Sequence, residues 1–234
     1  MMESDLGILM ATAATLAFVH TVFGPDHYLP FIVLSRARKW SVVKTIWITL
    51  ICGIGHVGSS IIVGAIGIGA GIGVSKLTGI ETLRGNIAAW AILAFGLVYT
   101  VWGIRRAIIN KPHKHFHTHT DGTVHLHDHT HQNSHDHQHA TNLTPWILFI
   151  VFVLGPCEPL IPLLMYPAAQ NSTWGIFQVS LIFSVITILT MIALVVLASY
   201  GLKMMKFGRL ERYTHAIAGA TISLSGFAIL FLGL

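Results

Sequence analysis

Two short stretches hold the residue types in this chain that could do chemistry: Gly24-Pro25-Asp26-His27 and Gly155-Pro156-Cys157-Glu158. Each sets a helix breaker and a pair of ligand-type side chains inside a long apolar run. Proline lacks an N–H and clashes with the carbonyl four residues back, so a helix kinks or unwinds there. Glycine lets other groups approach closely. His20 lies seven residues before His27, two turns of an unbroken helix, which would put both on one face. Asp26 and Glu158 are ionisable groups in apolar surroundings, where a charge inside a membrane costs roughly 2.5 kcal/mol or more unless paired or hydrated. That cost argues for a bound cation over a plain kink in which Asp26 and a histidine hydrogen-bond each other. Imidazole, carboxylate and a thiolate from Cys157 suit nickel, cobalt or zinc better than magnesium or calcium. Taken alone, Cys157 also reads as a small buried residue. His56, in Gly53-Ile54-Gly55-His56-Val57-Gly58, would either complete the set or pack as a hydrogen-bonded histidine among small residues. The expected metal ligands are His20, Asp26, His27, His56, Cys157 and Glu158.

A second population of histidines is spaced His-x-His in the middle of the chain: His113, His115, His117, His119, His125, His127, His129, His131, His135, His137 and His139. The few apolar residues there cannot build a core, so 110–142 is expected to be disordered. Histidine-rich tracts read as metal-binding, here as labile capture and not one defined site. The alternative is a polar linker or a pH-sensing tract. His215 reads as an ordinary residue at the start of the last span. The glycine run from Gly64 to Gly73 lacks the Gly-Lys-Ser/Thr ending of a phosphate loop and reads as close packing followed by a turn.

The elements that must position these groups are membrane spans. Of 234 residues 53% are hydrophobic and only 10% charged, with a mean hydropathy of +0.70. A soluble domain has about a quarter of its residues charged. Six apolar runs, at 6–34, 42–70, 87–109, 145–168, 176–202 and 216–232, are long enough to cross a hydrocarbon core of about 30 Å as helices. The first and fourth are broken at their Gly-Pro pairs. The net charge of +5 does not point to nucleic acid, because the basic residues sit in short loops and not on one soluble face. Twelve of the fourteen, including Arg36, Arg38, Lys39, Lys44, Arg105, Arg106, Lys203 and Arg212, fall on one side of a six-span arrangement, and only Lys76 and Arg84 fall on the other. The positive-inside rule then puts the histidine-rich loop in the cytoplasm and both termini outside, in the plasma membrane. The first residues lack a basic signal-peptide start, so the first run is expected to remain as a span. Cys52 and Cys157 both lie in apolar runs and form no disulfide framework.

The two halves repeat. A shift of 131 aligns Gly24-Pro25 with Gly155-Pro156, Asp26 with Cys157, His27 with Glu158, and His56 with Thr187. A shift of 130 aligns Gly96 with Gly226 and Gly103 with Gly233. Three spans repeated once must be inverted, and inverted repeats with broken helices are a transporter plan whose breaks mark the binding site. The expected fold is all-α: six transmembrane helices as two inverted three-helix repeats, 1–109 and 143–234, joined by 110–142.

These residues resemble the nickel/cobalt transporter superfamily, including its efflux proteins and the hydrogenase- and urease-accessory nickel permeases. The resemblance covers the six-span layout, His20, Asp26, His27, the Gly-His56 motif and the central loop. Five residues separate His20 from Asp26, where the permease signature has four. Gly155-Pro156-Cys157-Glu158-Pro159 is nearer to urease-accessory-type membrane proteins and lysine-exporter-like folds. The resemblance implies a transporter and not an enzyme. Its substrate would be nickel or cobalt, with zinc a third candidate, and it would use no organic cofactor. The residues themselves suggest alternating access at a midplane site coupled to protons. Two other readings remain open: an exporter of small organic or sulfur-containing anions, and a transmembrane thiol–disulfide electron carrier using Cys157.

Overall fold

The computed structural model describes residues 3–109, 113–118, 124–129, 143–204 and 208–232. Among the described residues eight α-helices follow in order: α1 (Glu3–Phe23), α2 (Leu29–Ala37), α3 (Val42–Gly69), α4 (Val74–Ile109), α5 (Leu143–Leu154), α6 (Leu160–Ala169), α7 (Thr173–Met204) and α8 (Thr214–Leu232). A 3-10 turn, Pro25–His27, separates α1 from α2, and a second, Gly208–Tyr213, leads into α8. Among the described residues, five helices are long and apolar enough to cross a membrane. Their outward faces carry Phe18, Trp47, Leu97, Val98 and Leu197, all exposed, as suits contact with lipid tails. The chain is an integral membrane protein.

Six spans are expected from the sequence, with the first and fourth broken; among the described residues five helices are long and apolar enough to cross. The fourth run becomes two short helices, α5 of 12 residues and α6 of 10. Neither reaches the ~20 residues a crossing needs. Pro156 and Pro159 remove the backbone donors that would have joined them. In the first run α1 is long enough alone, and α2 is a separate nine-residue helix. The third run starts well before residue 87. Helix α4 begins at Val74 and has 36 residues, about 54 Å of helix. Its length exceeds a hydrocarbon core of about 30 Å, and Glu81 and Arg84 on it are accommodated inside the bundle by pairing with each other.

Helix α1 packs on α7 and α5 on α3, while α2 packs on α8 and α6 on α4. The short helices α2 and α6 thus each pack against one of the long helices α8 and α4. The extensive α4–α8 contact is reciprocal in detail. A Cβ on Gly96 would sit 2.4 Å from the backbone N of Ser223 and 2.9 Å from the carbonyl of Gly219. A Cβ on Gly226 would sit 2.7 Å from the N of Leu93 and 3.0 Å from the carbonyl of Ala89. A shift of 130 residues turns the first contact into the second. Small residues let the two backbones touch, as membrane helix interfaces favour.

Within 110–142, two short segments are described. Strands β1 (His113–Thr118) and β2 (Val124–His129) pair antiparallel, His115 opposite His127 and Phe116 opposite Leu126. The His-x-His spacing is also a strand period, and Phe, Thr and Val favour the pleated state. His119, His131, His135, His137 and His139 lie outside the described residues.

Candidate functional site

The break between α1 and α2 turns the chain inward. Gly24 N–H still donates to His20 O at 2.9 Å, closing α1, and His27 N–H donates to Gly24 O at 3.1 Å. His27 is thereby carried into the bundle, where it is 2% exposed, and meets His56, also 2% exposed. Only glycine fits at position 24: a Cβ there would lie 2.4 Å from His27 Nδ1. On the opposite break, a Cβ at Gly155 would lie 3.0 Å from His56 Nδ1. Each broken helix therefore seats one imidazole against its glycine. His56 lies at the middle of α3, about 20 Å from either end.

Three imidazoles stand in a row, with ring centroids 4.7 Å apart for His20–His27 and 4.9 Å for His27–His56. Each can offer one nitrogen such that all three lie within 4.8 Å of one another. The hydrogen bonds fix which nitrogens are available. His27 Nδ1 faces two acceptors, Gly24 O and Asp26 Oδ1, both at 3.1 Å, so it carries the proton and donates. His56 Nδ1 faces the carbonyl of Phe152 at 3.2 Å, so it too donates. In a neutral imidazole the other nitrogen is then a bare acceptor. Yet His27 Nε2 and His56 Nε2 face each other at 3.1 Å. Two lone pairs at that distance repel, and only a proton or a metal cation between them removes the conflict. His20 Nε2 is buried with no hydrogen-bond partner. Two nitrogens each about 2.1 Å from one ion would lie about 3.0 to 3.4 Å apart at angles between 90° and tetrahedral. The Nδ1–H bonds to carbonyl and carboxylate are those that orient histidine ligands of metals.

A cavity of about 480 Å³ opens on this group, lined by His20, Asp26, His27, His56, Gly155 and Glu158 among others. Among the six residues expected as ligands, the imidazoles and Asp26 gather, with Asp26 bonded to His27. Glu158 lines the same cavity but is exposed. Cys157 does not line it. Its side chain is fully buried in an apolar cluster with Ala13, Ala17, Val57 and Phe183, because its backbone is held the other way.

That hold comes from residues the sequence reading passed over. Glu81, completely buried, accepts from Cys157 N–H at 3.2 Å and from Ser60 Oγ at 2.8 Å, and is paired with Arg84. The guanidinium also donates to Ser59 Oγ at 2.6 Å and to the carbonyl of Val153 at 2.9 Å. It thus satisfies a carbonyl that the end of α5 leaves without an intrahelical donor. Arg84, assigned from charge counting to an outer loop, is instead a clasp across the second break. The signal was available as a Glu and an Arg three residues apart beside an apolar run.

Fold and site together define a polytopic membrane protein with a polar, histidine-lined site where two broken helices meet. The chain belongs to the family described as cytochrome C biogenesis protein transmembrane region, whose model matches residues 10–233. This overturns the resemblance to the nickel/cobalt transporter superfamily. That resemblance rested on His20, Asp26, His27 and Gly55-His56, a few positions, whereas the family match runs through nearly all the helices. No curated protein matches the chain, and no solved structure does.

Proposed function

We propose that this protein is a membrane transporter that takes a divalent transition-metal ion as substrate at His20, His27 and His56. The observation that carries this reading is the opposed pair of bare Nε2 atoms, His27 and His56, at 3.1 Å. An ion resolves that conflict, and so does a proton, so the two would exchange. Asp26 stays bonded to His27 and offsets the charge of either occupant. Imidazole ligands suit nickel, cobalt and zinc. The reciprocal helix contacts support two inverted halves that rock against each other, exposing the site alternately. The Lys/Arg-rich ends of the helices would face the cytoplasm, with the histidine-rich segment on the same side as a labile reservoir. The test is metal flux into liposomes carrying the protein. His27→Gln and His56→Gln should each abolish it, and undiminished flux in both sinks the reading.

The family description favours a second reading, a transmembrane carrier of reducing equivalents in thiol–disulfide exchange. Both cysteines are free and buried. They fall in different apolar clusters, Cys52 with Met191 and Phe152, Cys157 with Ala13 and Phe183. Cys52 is also eight residues, about 12 Å along α3, from Ser60, the neighbour of Cys157. A disulfide needs Cα atoms within about 7 Å, so this reading requires the helices to move or an external thiol to reach Cys157. Reduction of a thiol reporter sealed inside liposomes tests it. Reporter reduction that vanishes in a Cys52→Ser, Cys157→Ser double variant, with no metal flux in the parent, would establish this reading over the first.

A further inference from the structure

A second cavity, of about 660 Å³, lies at the Lys/Arg-rich end of the bundle, where α3 begins and α2, α4 and α7 finish. It shares no residue with the histidine site, and nothing argued for that site bears on it. Four cationic side chains from separate elements line it: Arg36 from α2, Lys39 from the turn after it, Arg106 from α4 and Arg212 from the 3-10 turn before α8. One carboxylate, Glu211, lines it as well, so the lining is cationic by three charges.

Two further observations point to a ligand. Ser199 lines the cavity, is 8% exposed, and its hydroxyl has no hydrogen-bond partner. A buried hydroxyl is ordinarily bonded; this oxygen is itself enclosed, and a turn about the Cα–Cβ bond would bring it to the cavity that the residue lines. Lys39 has a φ of +52°, the left-handed conformation that glycine adopts without strain. It sits at the end of α2, where Trp40 N–H returns to Ser35 O at 2.9 Å, a closure in which glycine is the usual occupant. The chain carries a lysine there at the cost of strain, and the turn delivers its side chain to the cavity wall. Strained positions of this kind cluster at ligand sites.

We propose that this cavity binds a phosphate-type oxyanion, supplied as the headgroup of an anionic lipid or as free phosphate. Several cations converging from different directions match a tetrahedral anion with several acceptor oxygens, and guanidinium forks fit phosphate well. Basic pockets between membrane helices are apt sites for anionic headgroups. The Ser199 hydroxyl would donate to one oxygen and Lys39 would supply a point charge. The volume exceeds that of a bare anion and leaves room for the glycerol of a lipid.

The test uses the full-length protein purified in detergent without phosphate. Thermal unfolding is followed with inorganic phosphate against chloride at matched ionic strength. Binding of phosphatidylglycerol is compared with that of phosphatidylcholine. Stabilisation by phosphatidylglycerol alone identifies the headgroup as the ligand. Stabilisation by inorganic phosphate alone identifies the free anion, and a response to both identifies the shared phosphate chemistry. Lys39→Gly should unfold no earlier than the parent, since glycine suits that backbone, yet bind about tenfold more weakly for loss of one charged contact. Ser199→Ala should weaken binding in the same direction. No response to either ligand, or an undiminished response in both variants, overturns the proposal.

Discussion

Asp26→Asn separates an orienting role for the carboxylate from mere tolerance of it. In the parent, His27 Nδ1–H is shared between Asp26 Oδ1 and Gly24 O, each at 3.1 Å. Asparagine removes the charge, but the carbonyl still holds the ring, so Nε2 remains aimed at His56. Loss of such an outer partner typically costs 10- to 100-fold in metal affinity. Because one of the two acceptors survives, the expected loss is toward the lower end, about tenfold or 1.4 kcal/mol. His56 is oriented by Phe152 O alone, at 3.2 Å, and is untouched by the change. The assay is equilibrium binding of cobalt to detergent-solubilised protein, with the histidines of 113–139 replaced by asparagine so that only the buried site is counted. His56→Gln, which removes a ligand nitrogen, should weaken binding far more than Asp26→Asn. If Asp26→Asn binds as tightly as the parent, the carboxylate has no part in orienting His27. If His56→Gln also binds normally, the opposed Nε2 pair is not a metal site.

Arg84→Gln should destabilise the fold by about 3–5 kcal/mol, the cost of leaving a buried charge unpaired, because Glu81 is completely enclosed. Glu81→Gln combined with Arg84→Gln should recover part of that loss in thermal unfolding, and a fully additive double variant would show that the clasp is not a pair. Gly219→Val should cost about 1–3 kcal/mol or more as overpacking, since its Cβ would stand 2.4 Å from the backbone N of Thr100; unchanged unfolding would mean that α4 and α8 are not in backbone contact. Cys52→Ser with Cys157→Ser should leave metal flux intact, and its loss would move the site from the imidazoles to the thiols.

Much of the site was legible in the sequence because breakers and ligand-type residues are rare inside apolar runs. The pairs Gly24-Pro25 and Gly155-Pro156 marked where helices end, and His20, Asp26, His27 and His56 stood out as polar groups inside apolar runs. Gly96 and Gly226, singled out by a shift of 130, both stand in the α4–α8 contact. The family was not legible from those few positions, since short ligand motifs recur on unrelated chains while a family match depends on the whole pattern of helices.

Local composition by itself determined that the chain crosses a membrane as helices and where those helices must break, because apolar length and missing backbone donors are properties of consecutive residues. Only the tertiary structure decided which side chains share the cavity. It turned Cys157 into an apolar cluster, left Glu158 at the cavity's exposed side, and brought in Glu81 and Arg84 to hold the second break. Those outcomes depend on which carbonyls and N–H groups each break leaves unpaired and on what a neighbouring helix offers them, and no spacing along the chain encodes that.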